Sequence, residues 1–160
     1  MWRRSHCYFD EQFKFRCSCA LQLKLGYSRW NCSLPRLGDI TPPARWEGIQ
    51  CTDSGHVDSI SVKNLAGDVI SPSLGRLQFV RIIDLESGKL RGQIPPELAN
   101  CSRLETLNLM NNELSEGLPG ELGNLTALSK LLVSRNKLGG EIPRSIAASP
   151  SLSIFNLSAN

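Results

Sequence analysis

Apolar residues return along this chain at a fixed spacing. From Val80 onward, Val80, Leu104, Leu128 and Leu152 each open a segment of twenty-four residues built on one apolar skeleton. In the first segment the skeleton is Val80, Ile83, Leu85, Leu90, Ile94 and Leu98, and in the second it is Leu104, Leu107, Leu109, Leu114, Leu118 and Leu122. The third gives Leu128, Leu131, Val133, Leu138, Ile142 and Ile146, and a fourth begins with Leu152, Phe155 and Leu157. The alternation between the fourth and sixth places predicts a short strand with its apolar residues on one face. One such strand cannot bury that face alone, whereas stacked copies build a continuous core in which each unit touches mainly the next.

The polar positions of the period are as informative. Asn112, Asn136 and Asn160 hold the ninth place, where the chain must turn away from the strand and where an amide can serve backbone groups that would otherwise be buried unpaired. Gly88 holds that place in the first segment and supplies no side-chain hydrogen bond, which predicts a local weak point. Further on come Gly92-Gln93-Ile94-Pro95, Gly117-Leu118-Pro119 and Gly140-Glu141-Ile142-Pro143, each followed by a short apolar stretch. Glycine supplies unusual backbone angles there, and proline then starts a short helical turn where its missing donor costs little.

Together these elements fit the leucine-rich repeat pattern LxxLxLxxNxL. The Gly-x-Ile-Pro element resembles the plant-type subclass found in receptor-like kinase ectodomains, receptor-like proteins and polygalacturonase inhibitors. The resemblance covers roughly Trp46 to Asn160, with Glu116 standing where a glycine usually falls and Gly117 following one place late. It implies an α/β solenoid, a leucine-rich repeat right-handed superhelix of about four to five repeats. Short parallel strands would line its concave face, with 3-10 or short helical turns on its convex side. The repeats would run over 57–79, 80–103, 104–127 and 128–151, with a partial one at 152–160. The unit at 57–79 is imperfect, because Leu65 comes two places early and one extra residue precedes Leu74. Terminal repeats are commonly atypical for the same reason that caps exist.

Trp46-Glu47-Gly48-Ile49-Gln50-Cys51 resembles the end of the plant N-terminal cap, which places a cap over 28–56. In such caps this cysteine bonds to another a little upstream, and Cys32 is the candidate partner for Cys51; two reduced, buried thiols are the alternative. Six cysteines and four N-glycosylation triplets, at Asn31, Asn100, Asn124 and Asn156, are compatible with an oxidising compartment. Asn100 and Asn124 share one place in successive repeats, at the end of the helical half, which suits sugars on an outer face. Asn156 falls on the exposed face of a predicted strand, where a glycan would obstruct binding. Cys101, inside the Asn100 triplet, reads as a free buried thiol.

Charge separates the first residues from the rest. Residues 1–36 carry an excess of five positive charges within a total of +3, and residues 1–27 form a basic segment without assigned structure. The basic residues are not organised with aromatics or base-reading motifs, so no nucleic-acid partner is expected. No run approaches the roughly eighteen apolar residues of a membrane span, so any membrane attachment would lie in parts outside this chain. The chain stops at Asn160 in mid-repeat, which reads as a fragment of something longer.

No phosphate-cradling loop, kinase element or Gly-x-Ser-x-Gly is present, and His6 and His56 sit in no plausible triad or ligand set. The chain therefore reads as a binding module rather than an enzyme, with no cofactor and no metal. Side chains between and beside the strand leucines point to the concave side, where a rigid array can track an extended partner. Asp84, Glu86, Asn108, Met110, Lys130, Leu132, Ser134 and Arg135 are the candidate ligand-binding residues. Met110 and Leu132 place apolar groups where polar ones are expected, and charged residues flank them, as in a recognition patch with a polar rim. A spacer surface that binds nothing is the alternative.

By resemblance, the partner is a protein or peptide ligand, a co-receptor ectodomain among the options. The location implied is the extracellular side of the plasma membrane or the cell wall. A secreted inhibitor of a cell-wall hydrolase and a truncated non-functional fragment are the competing readings.

Overall fold

The computed structural model describes residues 48–52, 56–63 and 69–160. The basic segment 1–27, Asn31, Cys32, Trp46 and Leu65 lie outside the described residues, as does the side chain of Cys51. In chain order the strands are β1 Ile49–Cys51, β2 Val57–Ser61, β3 Ile82–Asp84, β4 Arg91–Gly92 and β5 Thr106–Asn108. They continue with β6 Glu113–Glu116, β7 Lys130–Leu132, β8 Lys137–Leu138 and β9 Ile154–Asn156. Among the described residues, three 3-10 turns, Pro72–Arg76, Pro96–Asn100 and Gly120–Asn124, and one short helix α1, Arg144–Ala147, lie between them.

The strands form a sheet in the order β1-β2-β3-β5-β7-β9, in which β1 runs antiparallel to β2 and every later pair is parallel. The period fixes the register. Ile60, Ile83, Leu107, Leu131 and Phe155 stand side by side in one row, so the apolar face of each strand continues that of the last. That row joins Val80, Leu104 and Leu128, Leu85, Leu109 and Val133, and Leu98, Leu122 and Ile146 in a single buried cluster. The arrangement is the stacked array that the sequence predicts.

The skeleton loses burial toward the last repeats. At the fifteenth place exposure climbs from 1% at Ile94 to 8% at Leu118 and 44% at Ile142. Ile142 was expected to share the core, but a solenoid residue is covered by the following turn, and none of the described residues covers this one. Leu152, Phe155 and Leu157 are likewise only half-buried.

The recurring asparagines do what their positions require. Asn112 Oδ1 accepts from the Gly88 and Leu90 amides at 2.8 and 3.0 Å, and its Nδ2 donates to the Leu85, Leu109 and Met110 carbonyls at 2.9, 3.0 and 3.2 Å. Asn136 repeats the pattern, accepting from Leu114 N and donating to Leu109 O, Val133 O and Ser134 O. Asn160 repeats it again with Leu138 N, Val133 O, Leu157 O and Ser158 O. Each amide thus ties its own turn to the preceding repeat, a tie for which Gly88 has no side chain.

Beyond the asparagines the chain forms a second sheet, β4-β6-β8, that the sequence reading does not anticipate. At the thirteenth place Gly92 and Gly140 adopt φ of 75° and 77°, and Glu116, the residue standing where glycine is usual, adopts 68°. Glu116 takes the left-handed conformation that costs an L-residue about 1–2 kcal/mol. The prolines then open the helical halves as expected, with Pro95, Pro119 and Pro143 as N-cap residues. On this convex side the repeats approach closely: a Cβ added to Gly75 would collide with the Glu97 carbonyl, and one added to Gly123 with the Ser145 backbone.

Ionic pairs also follow the period. Arg81 donates to both carboxylate oxygens of Asp58 at 2.7 and 2.9 Å and lies 3.7 Å from Glu105. Glu113 sits 3.2 Å from Lys137 and 3.5 Å from Arg91 along the second sheet. The hydrogen bond from Arg81 holds the Asp58 carboxyl below its ordinary range, and that from Lys137 does the same for Glu113. All these groups are at least partly open to solvent, so the pairs add little to stability.

Candidate ligand-binding face

Because side chains alternate along a strand, the rows on either side of the buried one face the other way. One is Ser59, Ile82, Thr106, Lys130 and Ile154, and the other is Ser61, Asp84, Asn108, Leu132 and Asn156. These two rows, with the residues that follow each strand, make the outward face of the main sheet. The Asp and Asn side chains in the second row fold back on their own chain. Asp84 Oδ1 accepts from Glu86 N at 3.3 Å, Asn108 Oδ1 from Met110 N at 3.2 Å, and Asn156 Oδ1 from Ser158 N at 3.2 Å. These bonds stiffen the exit of each strand. Leu132 has no such group and leaves a half-buried apolar side chain in the row.

The sites expected from the sequence are placed unequally. Asp84, Glu86 and Asn108 form one cluster, in which Asn108 Nδ2 donates to Asp84 Oδ1 at 3.0 Å and lies 3.5 Å from Glu86 Oε2. Met110 and Leu132 are half-buried at the centre of the face, on adjacent repeats. Lys130 and Arg135 are exposed on the third repeat. Ser134 needs correction: it was expected to be presented to a partner, but it is only 2% exposed. Its carbonyl instead accepts from Asn111 N and Asn136 Nδ2.

Arg81, exposed just before β3, is tied up by Asp58. Opposite charges one period apart, at 58, 81 and 105, are the signal that could have shown it. Asp84, Glu86, Lys130 and Arg135, by contrast, make no ion pair with any described residue. Unpaired negative charge therefore stands at Asp84 and Glu86 on the first full repeat, and unpaired positive charge at Lys130 and Arg135 on the third, the repeat that also carries Leu132.

On the convex side Asn100 and Asn124 are exposed at the ends of their 3-10 turns, while Asn156 is half-buried within the outward row of β9. Cys101 is a free, fully buried thiol whose Sγ lies 3.4 Å from the Leu74 carbonyl. Burial pushes its pKa up to about 11. Among the described residues no group of three His, Cys, Asp or Glu side chains could hold a metal ion. No described helix is long and apolar enough to cross a membrane.

Residues 103–125 match the family model described as Leucine Rich Repeat. Among solved structures, a chain of the BIR3–SERK2 complex from Arabidopsis thaliana aligns with a TM-score of 0.74 at 25% identity, covering 88% of this chain and 79% of that one. The BIR2 ectodomain from Arabidopsis thaliana aligns with a TM-score of 0.63 at 31% identity, covering 69% of this chain and 59% of that one. A third is the LRR ectodomain of the plant membrane receptor kinase GASSHO1/SCHENGEN3 from Arabidopsis thaliana, solved in complex with CASPARIAN STRIP INTEGRITY FACTOR 2. It aligns with a TM-score of 0.67 at 33% identity, covering 71% of this chain and 14% of that one. The chain thus spans less than two thirds of the second and third relatives.

Proposed function

We propose, from the premise that this chain is a leucine-rich repeat protein of the plant receptor type, that it recognises a protein or peptide ligand through the outward face of its main sheet. It would do so as an extracellular ligand-recognition or co-receptor module, at the cell surface or in the cell wall. The relatives support this reading, since one is solved in a complex of two proteins and another with a partner factor. The observation that carries it is the pair Met110 and Leu132. They place half-buried apolar side chains on successive repeats beside polar and charged residues, and an apolar centre with a polar rim is how recognition patches are built. Asp84, Glu86, Asn108, Lys130 and Arg135 supply the rim, whereas Ser134 is left out because it is buried.

The convex side is the complement of this face. Asn100 and Asn124 are proposed as glycan carriers there, leaving the opposite side clear, and Cys32 and Cys51 as the cap disulfide. Binding rather than catalysis is the role proposed for this chain.

The test is selection of ligands on the protein itself. A phage-displayed library of random dodecapeptides is panned on the immobilised chain after expression in an oxidising host. Enriched clones are then compared on the chain carrying Met110→Lys and Leu132→Lys. Clones are expected to lose at least roughly tenfold in capture on the double variant, as central apolar anchors dominate such contacts. Equal capture by both proteins would sink the reading.

A further inference from the structure

Carboxylates near the start of the array are compensated unevenly. Asp58 and Glu105 share Arg81, at 2.7 and 3.7 Å. Asp84 and Glu86 share only an amide, Asn108 Nδ2, at 3.0 and 3.5 Å, and neither makes an ion pair with any described residue. The register sets Asp84 level with Asn108 on the next strand, and the ladder continues past them, with Ser87 N donating to Met110 O at 3.0 Å. Half-buried Met110 therefore borders Glu86, one repeat further along. Ile82, on the same strand as Asp84, is exposed. The first two full repeats thus present two carboxylates without a cation, beside apolar side chains that are only partly covered.

The chain itself holds the complement of this surface. Residues 1–27 carry Arg3, Arg4, Lys14, Arg16 and Lys24 against Asp10 and Glu11, and six of the ten aromatic residues fall there too. Among the described residues the aromatics are Phe79 and Phe155. A stretch that is both cationic and aromatic suits a face that is both anionic and apolar. Covering the apolar groups removes surface from water, and the carboxylates decide which part of the face is covered.

Connectivity brings this stretch to the same end of the array. The first described strand, β1, is two strands from β3, or about 10 Å at a spacing of about 4.8 Å. Residues 28–47 span up to about 70 Å when extended, so reach sets no limit. Attachment also raises the effective concentration at the face to the order of millimolar, at which a contact too weak to persist between separate molecules is populated within one.

We propose that residues 1–27 dock on the outward face of the first two full repeats, as an internal occupant that a ligand must displace. Their basic side chains meet Asp84 and Glu86, and their aromatic side chains cover Ile82 and Met110. The proposal rests on the reading of that face as the ligand surface. Its ionic part joins groups open to solvent, so the contact weakens as ionic strength rises.

The test is zero-length coupling of the whole chain with a water-soluble carbodiimide, which joins an ammonium to a carboxylate only where the two touch. At low protein concentration and low salt, mass mapping of the monomer is expected to find Lys14 or Lys24 joined to Asp84 or Glu86. That product should fall roughly fivefold or more in high salt, and equally in a chain carrying Arg3→Gln, Arg4→Gln and Arg16→Gln, which keeps both lysines. The same variant should capture dodecapeptides that depend on Met110 and Leu132 roughly threefold or more better than the unmodified chain, because the internal competitor is weakened.

Coupling of Asp84 and Glu86 to lysines of the repeats alone, or coupling confined to dimers, overturns the proposal and leaves the binding face standing. Capture that the arginine variant leaves unchanged does the same. Equal capture by the unmodified chain and the chain carrying Met110→Lys and Leu132→Lys overturns the reading of the face, and displacement with it, while coupling, read without any ligand, still reports the contact. An unchanged denaturation midpoint for the arginine variant separates release of the segment from loss of folding.

Discussion

Replacing Asn112 by alanine tests the physical basis of the array directly. Its amide closes five hydrogen bonds, but the loss does not orphan five groups. The Leu109 carbonyl keeps the Asn136 amide, and the Met110 carbonyl keeps the Ser87 amide. Three buried groups lose the partner seen for them: Gly88 N, Leu90 N and Leu85 O. Each unsatisfied buried polar group costs on the order of 1–3 kcal/mol, and entry of water recovers part of that, so the expected loss is about 3–5 kcal/mol. That is a large share of a total near ~5–15 kcal/mol.

Asn160→Ala is the internal control. Its amide makes the same kind of contacts at the solvent-exposed end, where water replaces it, and the expected loss is below about 1 kcal/mol. Urea unfolding followed by circular dichroism reads both, and with a slope of roughly 2 kcal/mol per molar the Asn112→Ala midpoint falls by about 2 M. Asn112→Asp sharpens the test because it keeps the shape and turns the donor into an acceptor facing three carbonyls. Its carboxyl is then held protonated in the fold, so this variant loses stability as pH rises above about 4 and recovers it on acidification. If Asn112→Ala costs less than about 1 kcal/mol, or no more than Asn160→Ala, the amide series is not what binds the repeats together.

Other expectations concern backbone and side-chain environment. Gly123→Ala should cost about 1–3 kcal/mol, because the new methyl meets fixed backbone at Ser145, whereas Gly139→Ala, with nothing within 4 Å, should be neutral or slightly stabilising; denaturation midpoints of the two variants decide this. Glu116→Gly should stabilise by less than about 1 kcal/mol, since relief at a φ of 68° is partly offset by the entropy of glycine; no gain, or a loss, would show that the left-handed cost is met elsewhere. Cys101 should resist iodoacetamide in the native protein near neutral pH and react on unfolding, as mass mapping of its peptide would show; native alkylation would contradict its burial.

Much of this architecture was legible because a solenoid writes each of its contacts once per period. The row from Ile83 to Phe155, the amides at 112, 136 and 160, and the prolines opening the helical halves each recur at one spacing, so pattern and structure coincide. Features that depend on the neighbouring turn were not legible. Ile142 has the same sequence context as Ile94 but lacks a covering repeat among the described residues, and burial in a stack is a property of the pair. Ser134 follows its strand as Glu86 and Met110 follow theirs, yet it is too short to reach out of the face. The second sheet was missed because its strands are two to four residues long, too short for alternation to register. On the candidate site, residue types and facing were readable, but not the pairing of Arg81 with Asp58, which decides which charges remain available.

Gly75 and Gly123 matter beyond their own packing. Hydrogen bonds hold the strand side of the array to one spacing, so the gap between successive repeats on the back determines how sharply the whole body curves. Glycine lets the backs close up and flattens the arc, while a larger residue would wedge them apart and curl the front inward. The distance between Asp84 and Lys130 is thus set in part by residues on the far side of the molecule that touch no ligand. Shape of the recognition face becomes a trait that single substitutions on the back can tune, without changing any residue that makes contact.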